Sequence, residues 1–175
     1  MIIDVGSNIE PKPNHLLQYA IMCDAYSRYI LHKENPSIGL LNVGEEETKG
    51  TDFVKEAHQL LSESKLNFVG NIEGRHTFDG KVDVIVCDGF IGNAVLKVSE
   101  GIAEAMITLI KREVNKNIFR RLVGIMSLPI FKALKKDLDY SEYGGAPLLG
   151  VDGICIIGHG RSNPKAIKNA IRVAK

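Results

Sequence analysis

Residues 82–93 read Val-Asp-Val-Ile-Val-Cys-Asp-Gly-Phe-Ile-Gly-Asn. The run from Val82 to Cys87 is short and mostly β-branched, the pattern of a strand buried on both faces. Asp88-Gly-Phe-Ile-Gly-Asn93 comes next. From Phe90 to about Asn115 the apolar positions Ile91, Val95, Val98, Ile102, Ala105, Met106 and Leu109 then keep one helical face, which predicts the longest helix of the chain. Strand, glycine-bearing turn and helix succeed one another without a spacer, and this junction sets the reading of everything around it.

Outward from it, the same kind of apolar run recurs at Ile2 to Val5, Ile38 to Val43, Leu66 to Val69 and Ile154 to Ile157. Helical periodicity fills most intervals, first through Leu16, Leu17, Ala20, Ile21, Tyr26 and Ile30, then through Phe53, Val54, Ala57, Leu60 and Leu61. The alternation predicts an α/β fold. Thr51 or Asp52 suits the cap of the second helix, and Ser162 and Asn163 precede Pro164, which suits the first turn of the last. The stretch Ile118 to Leu138 is also amphipathic but contains Gly124 and Pro129, so it reads as two short helices with a bend.

With 175 residues, 45% hydrophobic and 25% charged, the chain is expected to form a single α/β unit over residues 1–175. A net charge of +1 gives no global argument for nucleic acid. Cys23, Cys87 and Cys155 are odd in number, widely spaced and set among apolar residues, which suggests neither a disulfide framework nor a zinc site and fits a reducing cytosol. The start MIIDVGSN lacks the features of a secretory signal, and no run reaches the roughly 18 apolar residues of a membrane span.

The expected strands are each succeeded by glycine and small polar residues: Gly6 to Asn8, Gly44 to Gly50, Gly70 and Asn71, Asp88 to Asn93, and Gly158 to Asn163. Ligands in open α/β sheets bind beyond the carboxyl ends of strands, so these loops predict a site along one sheet edge. Neither GxGxxG nor GxxxxGK[ST] occurs, and no cofactor is indicated. The Asp88 to Asn93 turn aims backbone N–H groups and a helix dipole at one point, where an oxyanion or phosphate is stabilised. Asn93 could donate its amide to a developing oxyanion or simply cap the helix. Lys97, one turn on, shares that helix face or is a solvated surface charge.

Gly44-Glu-Glu-Glu-Thr-Lys-Gly50 reads as a solvated acidic loop except at Lys49, a flexible cation at a strand end that can neutralise phosphate. Glu45 to Glu47 lack companion ligands with a recognisable spacing, so no metal is expected. His159 could act as acid, base or hydrogen-bond donor. The stretch 144–150 reads as a loop that approaches another backbone closely. Residues 111–137 carry eight basic residues against Glu113 and Asp137, interleaved with Ile118, Phe119, Leu122, Ile125, Met126, Ile130 and Phe131. Such a basic amphipathic excursion suits an anionic membrane surface, a dimer interface, an acidic carrier protein or an ordinary core-facing hairpin.

Taken together, DVGSN, KPNHLLQYAIM, NPSIGLLNVGEEETKG, NFVGNIEGR, DVIVCDGFIGNAVLK, DYSEYGGAPLLG and HGRSN resemble the phosphate acyltransferases of bacterial phospholipid synthesis, in the expected order from Ile3 to Ala174. Cys23 stands where that family usually has glycine, and Arg161 replaces a small polar residue. The resemblance implies a three-layer αβα sandwich of the isocitrate/isopropylmalate dehydrogenase-like type with its N-terminal half absent, including an SAGNTGA-like motif. It implies a cytoplasmic, peripherally membrane-associated homodimer that transfers a fatty acyl group from acyl carrier protein to inorganic phosphate. Lys49, Asn93 and His159 are then the expected catalytic residues. Asn8, Gly44, Asn71, Asp88, Gly89, Gly92, Lys97 and Ser162 are the expected substrate contacts. The rival readings are a phosphotransacetylase-like enzyme using coenzyme A thioesters, and a non-catalytic fragment that keeps only dimerisation and membrane binding.

Overall fold

A computed structural model describes residues 1–137 and 139–175, with the backbone alone at 135–137 and 140. Two compact units divide the chain, Met1–Ala103 and Glu104–Lys175.

The first unit is built on four strands, β1 (Ile2–Ile3), β2 (Ile38–Asn42), β3 (Phe68–Glu73) and β4 (Val84–Val86), in one parallel sheet ordered β1-β4-β2-β3. Ile85 sits opposite both Ile2 and Gly39, which fixes β4 between β1 and β2. Ile38, Leu40, Val84, Ile85 and Val86 are buried, the signature of a strand pair covered on both faces. Helix α1 (Pro13–Tyr29) leads from β1 to β2, and α2 (Asp52–Ser62) from β2 to β3. The two pack against each other, burying Leu16, Ala20 and Cys23 of α1 and Ala57 and Leu61 of α2. Thr51 caps α2 by accepting from the Val54 N–H at 3.4 Å, as its position predicts. The fold is thus α/β, a parallel sheet flanked by helices.

At the opposite end of the strands, Asp83 joins the starts of β2 and β4. Its Oδ2 accepts from the Ser37 backbone N–H at 3.0 Å and the Ser37 hydroxyl at 2.9 Å, and Lys33 Nζ lies 3.0 Å from Oδ1. A short 3₁₀ turn, Gly74–Phe78, comes after β3. Helix α3 (Gly89–Val114) leaves β4 and runs through the division between the units. It is the longest helix among the described residues, and its apolar stripe stays open: Ile102 is 55% exposed.

The second unit holds the end of α3, α4 (Ile118–Met126), α5 (Leu128–Asp137), strands β5 (Ala146–Pro147) and β6 (Ile156–Ile157), and α6 (Pro164–Val173). The expected bend falls at Ser127. Gly124 stays inside α4, buried against Val114, and Pro129 sits in the first turn of α5, where its missing N–H costs nothing. Of the basic excursion, Leu138 and the side chains of Lys135, Lys136 and Asp137 lie outside the described residues. Asn163 caps α6 by accepting from the Ala166 N–H at 2.9 Å. The turn 144–150 does approach other backbone: a Cβ on Gly144 would overlap Ala170, and one on Gly145 would lie 2.5 Å from the Ile157 carbonyl oxygen.

The structure corrects one expectation about the strands. The Ile154 to Ile157 run does not add a fifth strand to the parallel sheet. β6 pairs antiparallel with β5 in a separate two-stranded sheet, so the His159 loop issues from a different sheet than the other four.

Candidate functional site

Because all four strands of the first unit run parallel, the segments after β1, β2, β3 and β4 emerge at one edge. β4 is flanked by β1 and β2, and parallel neighbours lie about 4.8 Å apart. That neighbourhood brings residues 4–8, 43–50 and 87–93 side by side.

The first of these is folded around a carboxylate. Asp4 is buried, and its two oxygens accept from the backbone N–H groups of Gly6, Ser7 and Asn8 at 2.7–2.8 Å. Asn8 in turn offers its carbonyl to the Gly89 N–H at 2.9 Å, and its side-chain oxygen accepts from the Glu10 N–H at 3.2 Å. The start of α3 packs onto this loop so closely that Gly89 and Gly92 have no room for a side chain: a Cβ at 89 would lie 2.6 Å from the Asn8 carbonyl oxygen, and one at 92 would overlap the Asp4 carbonyl. Cys87 Sγ donates to that same carbonyl at 3.4 Å, and burial pushes its thiol up to about 12, which removes it as a nucleophile.

Asp88 caps α3, its Oδ1 accepting from the Ile91 N–H at 2.8 Å. This narrows the expectation of free N–H groups at the helix start, since those of Gly89, Ile91 and Gly92 have partners within the chain. Asn93 therefore does not cap the helix. It lies inside α3, with its side chain beside Gly6 and exposed. Lys97 forms an ion pair with Glu100 at 3.1 Å, the arrangement of a solvated surface charge.

The loop after β2 is held by asparagines on two adjacent strands. Asn42 Nδ2 donates to the Lys49 carbonyl at 3.0 Å, and Asn71 Nδ2 donates to the Glu46 carbonyl at 3.0 Å. Asn71 is buried, and its Oδ1 has no hydrogen-bond partner among the described residues. Gly44 is buried beneath the stem of Lys49, whose side chain is exposed. Glu45 reaches His76, in the turn after β3, at 3.3 Å. The edge thus gathers Asn8, Gly44, Lys49, Asn71, Asp88, Gly89, Gly92 and Asn93. Asp4, Asn42 and His76 belong to it too. The run Asp4-Val-Gly-Ser-Asn8, an aspartate two residues before glycine, is a turn signal that marks Asp4, whereas nothing local marks His76.

His159 and Ser162 belong to the second unit. His159 Nδ1 accepts from the Arg161 N–H at 3.2 Å, and its carbonyl from the Ser162 N–H at 2.9 Å. Ser162 lines an open groove of about 550 Å³ along α6, beside Ile167 and Ile171.

Residues 1–175 match the family described as "Fatty acid synthesis protein". The chain belongs to this family. It is similar to proteins named phosphate acyltransferase: 53% identical over 174 residues to that of Thermodesulfovibrio yellowstonii, covering 99% of this chain and 50% of the relative. The corresponding protein of Geotalea daltonii is 52% identical over 174 residues, with 99% and 50% covered. That of Halothermothrix orenii is 53% identical over 177 residues, with 100% and 53% covered. The chain therefore spans about half the length of the curated relatives it matches, and the family match takes in every residue of the sheet edge.

Proposed function

We propose that the chain serves a phosphate acyltransferase that moves a fatty acyl group from the thioester of acyl carrier protein to inorganic phosphate, giving an acyl phosphate for phospholipid synthesis. The observation that carries this reading is the placement of Lys49 and Asn93 beyond adjacent strands β2 and β4 of one parallel sheet. Phosphate at neutral pH is already an anionic nucleophile and a thiolate is a good leaving group, so positioning and charge stabilisation do most of the work. Lys49 holds phosphate by its charge, and the Asn93 amide donates to the thioester oxyanion. With the Gly89, Ile91 and Gly92 N–H groups partnered internally, these side chains supply the main donors, aided by the α3 dipole. The fold is then of the isocitrate/isopropylmalate dehydrogenase type, and the working assembly a cytoplasmic homodimer, for which the open apolar stripe of α3 offers a contact. For α4 and α5 we propose peripheral contact with an anionic membrane, supported by exposed Phe119 and Met126 beside Arg120 and Arg121.

The test is acyl phosphate formation by the chain, alone and combined with the other half of a curated relative, offered acyl carrier protein and coenzyme A thioesters in parallel. Lys49→Ala and Asn93→Ala are each expected to lower turnover by about 10²–10³-fold with circular dichroism unchanged. Near-normal turnover in both variants refutes the roles, and preference for coenzyme A thioesters favours a phosphotransacetylase-like enzyme.

A further inference from the structure

Among the described residues three side-chain ties hold residues 44–50, and of these the one made by His76 can change its charge. The Asn42 and Asn71 amides are neutral at every pH. The third tie is His76, whose side chain is only 14% exposed and whose Nε2 stands 3.3 Å from Glu45 Oε1. On its other side Nδ1 makes a short contact with Asp79 Oδ2, and Lys81 Nζ approaches the same nitrogen at 3.2 Å. Glu73 and Arg75, on the strand end and turn just before it, pair with each other at 2.8 Å. The imidazole thus lies between two carboxylates, one of them on the loop that carries Lys49.

A neutral imidazole has one N–H and one lone pair, so it can donate to one carboxylate only, whereas the imidazolium donates to both. The Asp79 carboxyl is held below the usual carboxylate range, first by the bond from His76 and then by the Lys81 backbone N–H. Asp79 lies closer to Nδ1 than Lys81 does, so we assign the neutral ring the tautomer that keeps the Nδ1 hydrogen, which leaves a lone pair facing Glu45.

We propose that His76 is a positioning residue for Lys49, bridging the turn after β3 to the 44–50 loop through Glu45 when the imidazole is protonated and releasing that loop when it is not. This inference rests on the reading of Lys49 as the phosphate-binding cation and adds a proton-controlled restraint on where that cation stands. The bridge is complete while both ring nitrogens carry hydrogen and is lost once one of them gives it up.

Amide hydrogen exchange of residues 44–50 tests the bridge in the full chain and in H76Q, taken as the ratio of the two proteins at each pH between about 5.5 and 8.5 so that the intrinsic chemistry cancels. H76Q is expected to exchange roughly tenfold faster than the wild-type chain at the acid end and equally fast at the alkaline end, and E45Q to behave alike. A ratio that stays at one, or that does not vary with pH, overturns the proposal. Calorimetric titration of inorganic phosphate into the same proteins and into K49A separates the two readings. Loss of affinity in H76Q that is largest at low pH supports positioning. If K49A abolishes binding while H76Q matches wild type at every pH, positioning is overturned and the Lys49 reading stands. If the wild-type chain binds no phosphate while the exchange ratio still titrates, the phosphate reading falls and the bridge stands.

Discussion

Gly92 and Gly101 lie on the same helix and face opposite demands. A side chain at 92 would have to enter the Asp4 carbonyl, whereas nothing stands within 4 Å of a Cβ at 101. Gly92→Ala is therefore expected to destabilise by about 1–3 kcal/mol, the usual cost of overpacking. Gly101→Ala should stabilise by about 0.5–1 kcal/mol through lost chain entropy. Urea unfolding monitored by circular dichroism measures both, and equal effects at the two positions would contradict the close approach at 92. At this scale the sequence was legible wherever a residue's role depends on its chain neighbours. Thr51 and Asn163 cap helices because each stands directly before a helical run whose third N–H it can reach. Lys49 and Asn93 could be placed after strands by the same local logic. Asn93 was open to two readings, helix cap or substrate donor, and the structure gives the cap to Asp88, which stands directly before the helix. His76 was illegible: its partner Glu45 is far off in the chain, and only strand pairing brings them together.

Asp83 shows how two elements are kept in register. Its carboxyl is held below the usual carboxylate range by the Ser37 backbone N–H first and by Lys33 next. A group depressed in the folded state contributes stability above its unfolded value, and that contribution is lost as pH falls through the folded value. Asp83→Asn should thus cost about 1–3 kcal/mol near neutral pH and progressively less in acid. Denaturant midpoints of wild type and variant, measured at neutral and acid pH, should converge as pH falls. A constant gap would mean that the charge is irrelevant. The elements themselves obey their periodicity closely, α3 above all. The α4–α5 break falls at Ser127, while Gly124 stays inside α4 against Val114, where a side chain would not fit.

For the molecule as a whole, net charge of +1 conceals an uneven distribution, since residues 111–137 hold eight basic side chains against two acidic ones. Among the described residues no helix is long and apolar enough to cross a membrane, yet Phe119 is 77% and Met126 82% exposed. The proposed membrane contact then requires that the chain co-sediment with anionic vesicles at low salt, ignore zwitterionic ones, and be released by salt as charge is screened. Arg120→Glu with Arg121→Glu should abolish it, and binding that survives both salt and charge reversal would overturn the idea. The four-stranded sheet edge was legible because every strand in it ends in loop chemistry. The separate β5–β6 pair was not, because an apolar run carries no mark of which partner it will choose.

The carboxylate that shapes the first loop is tethered to the very backbone it organises. No dissolved anion can match its local concentration, so the amides of residues 6–8 are spoken for before any ligand arrives. That corner of the edge is therefore expected to keep its geometry on the ligand binding proposed above. Adjustment on binding is left to the neighbouring loop, which hangs from two amides and an imidazole.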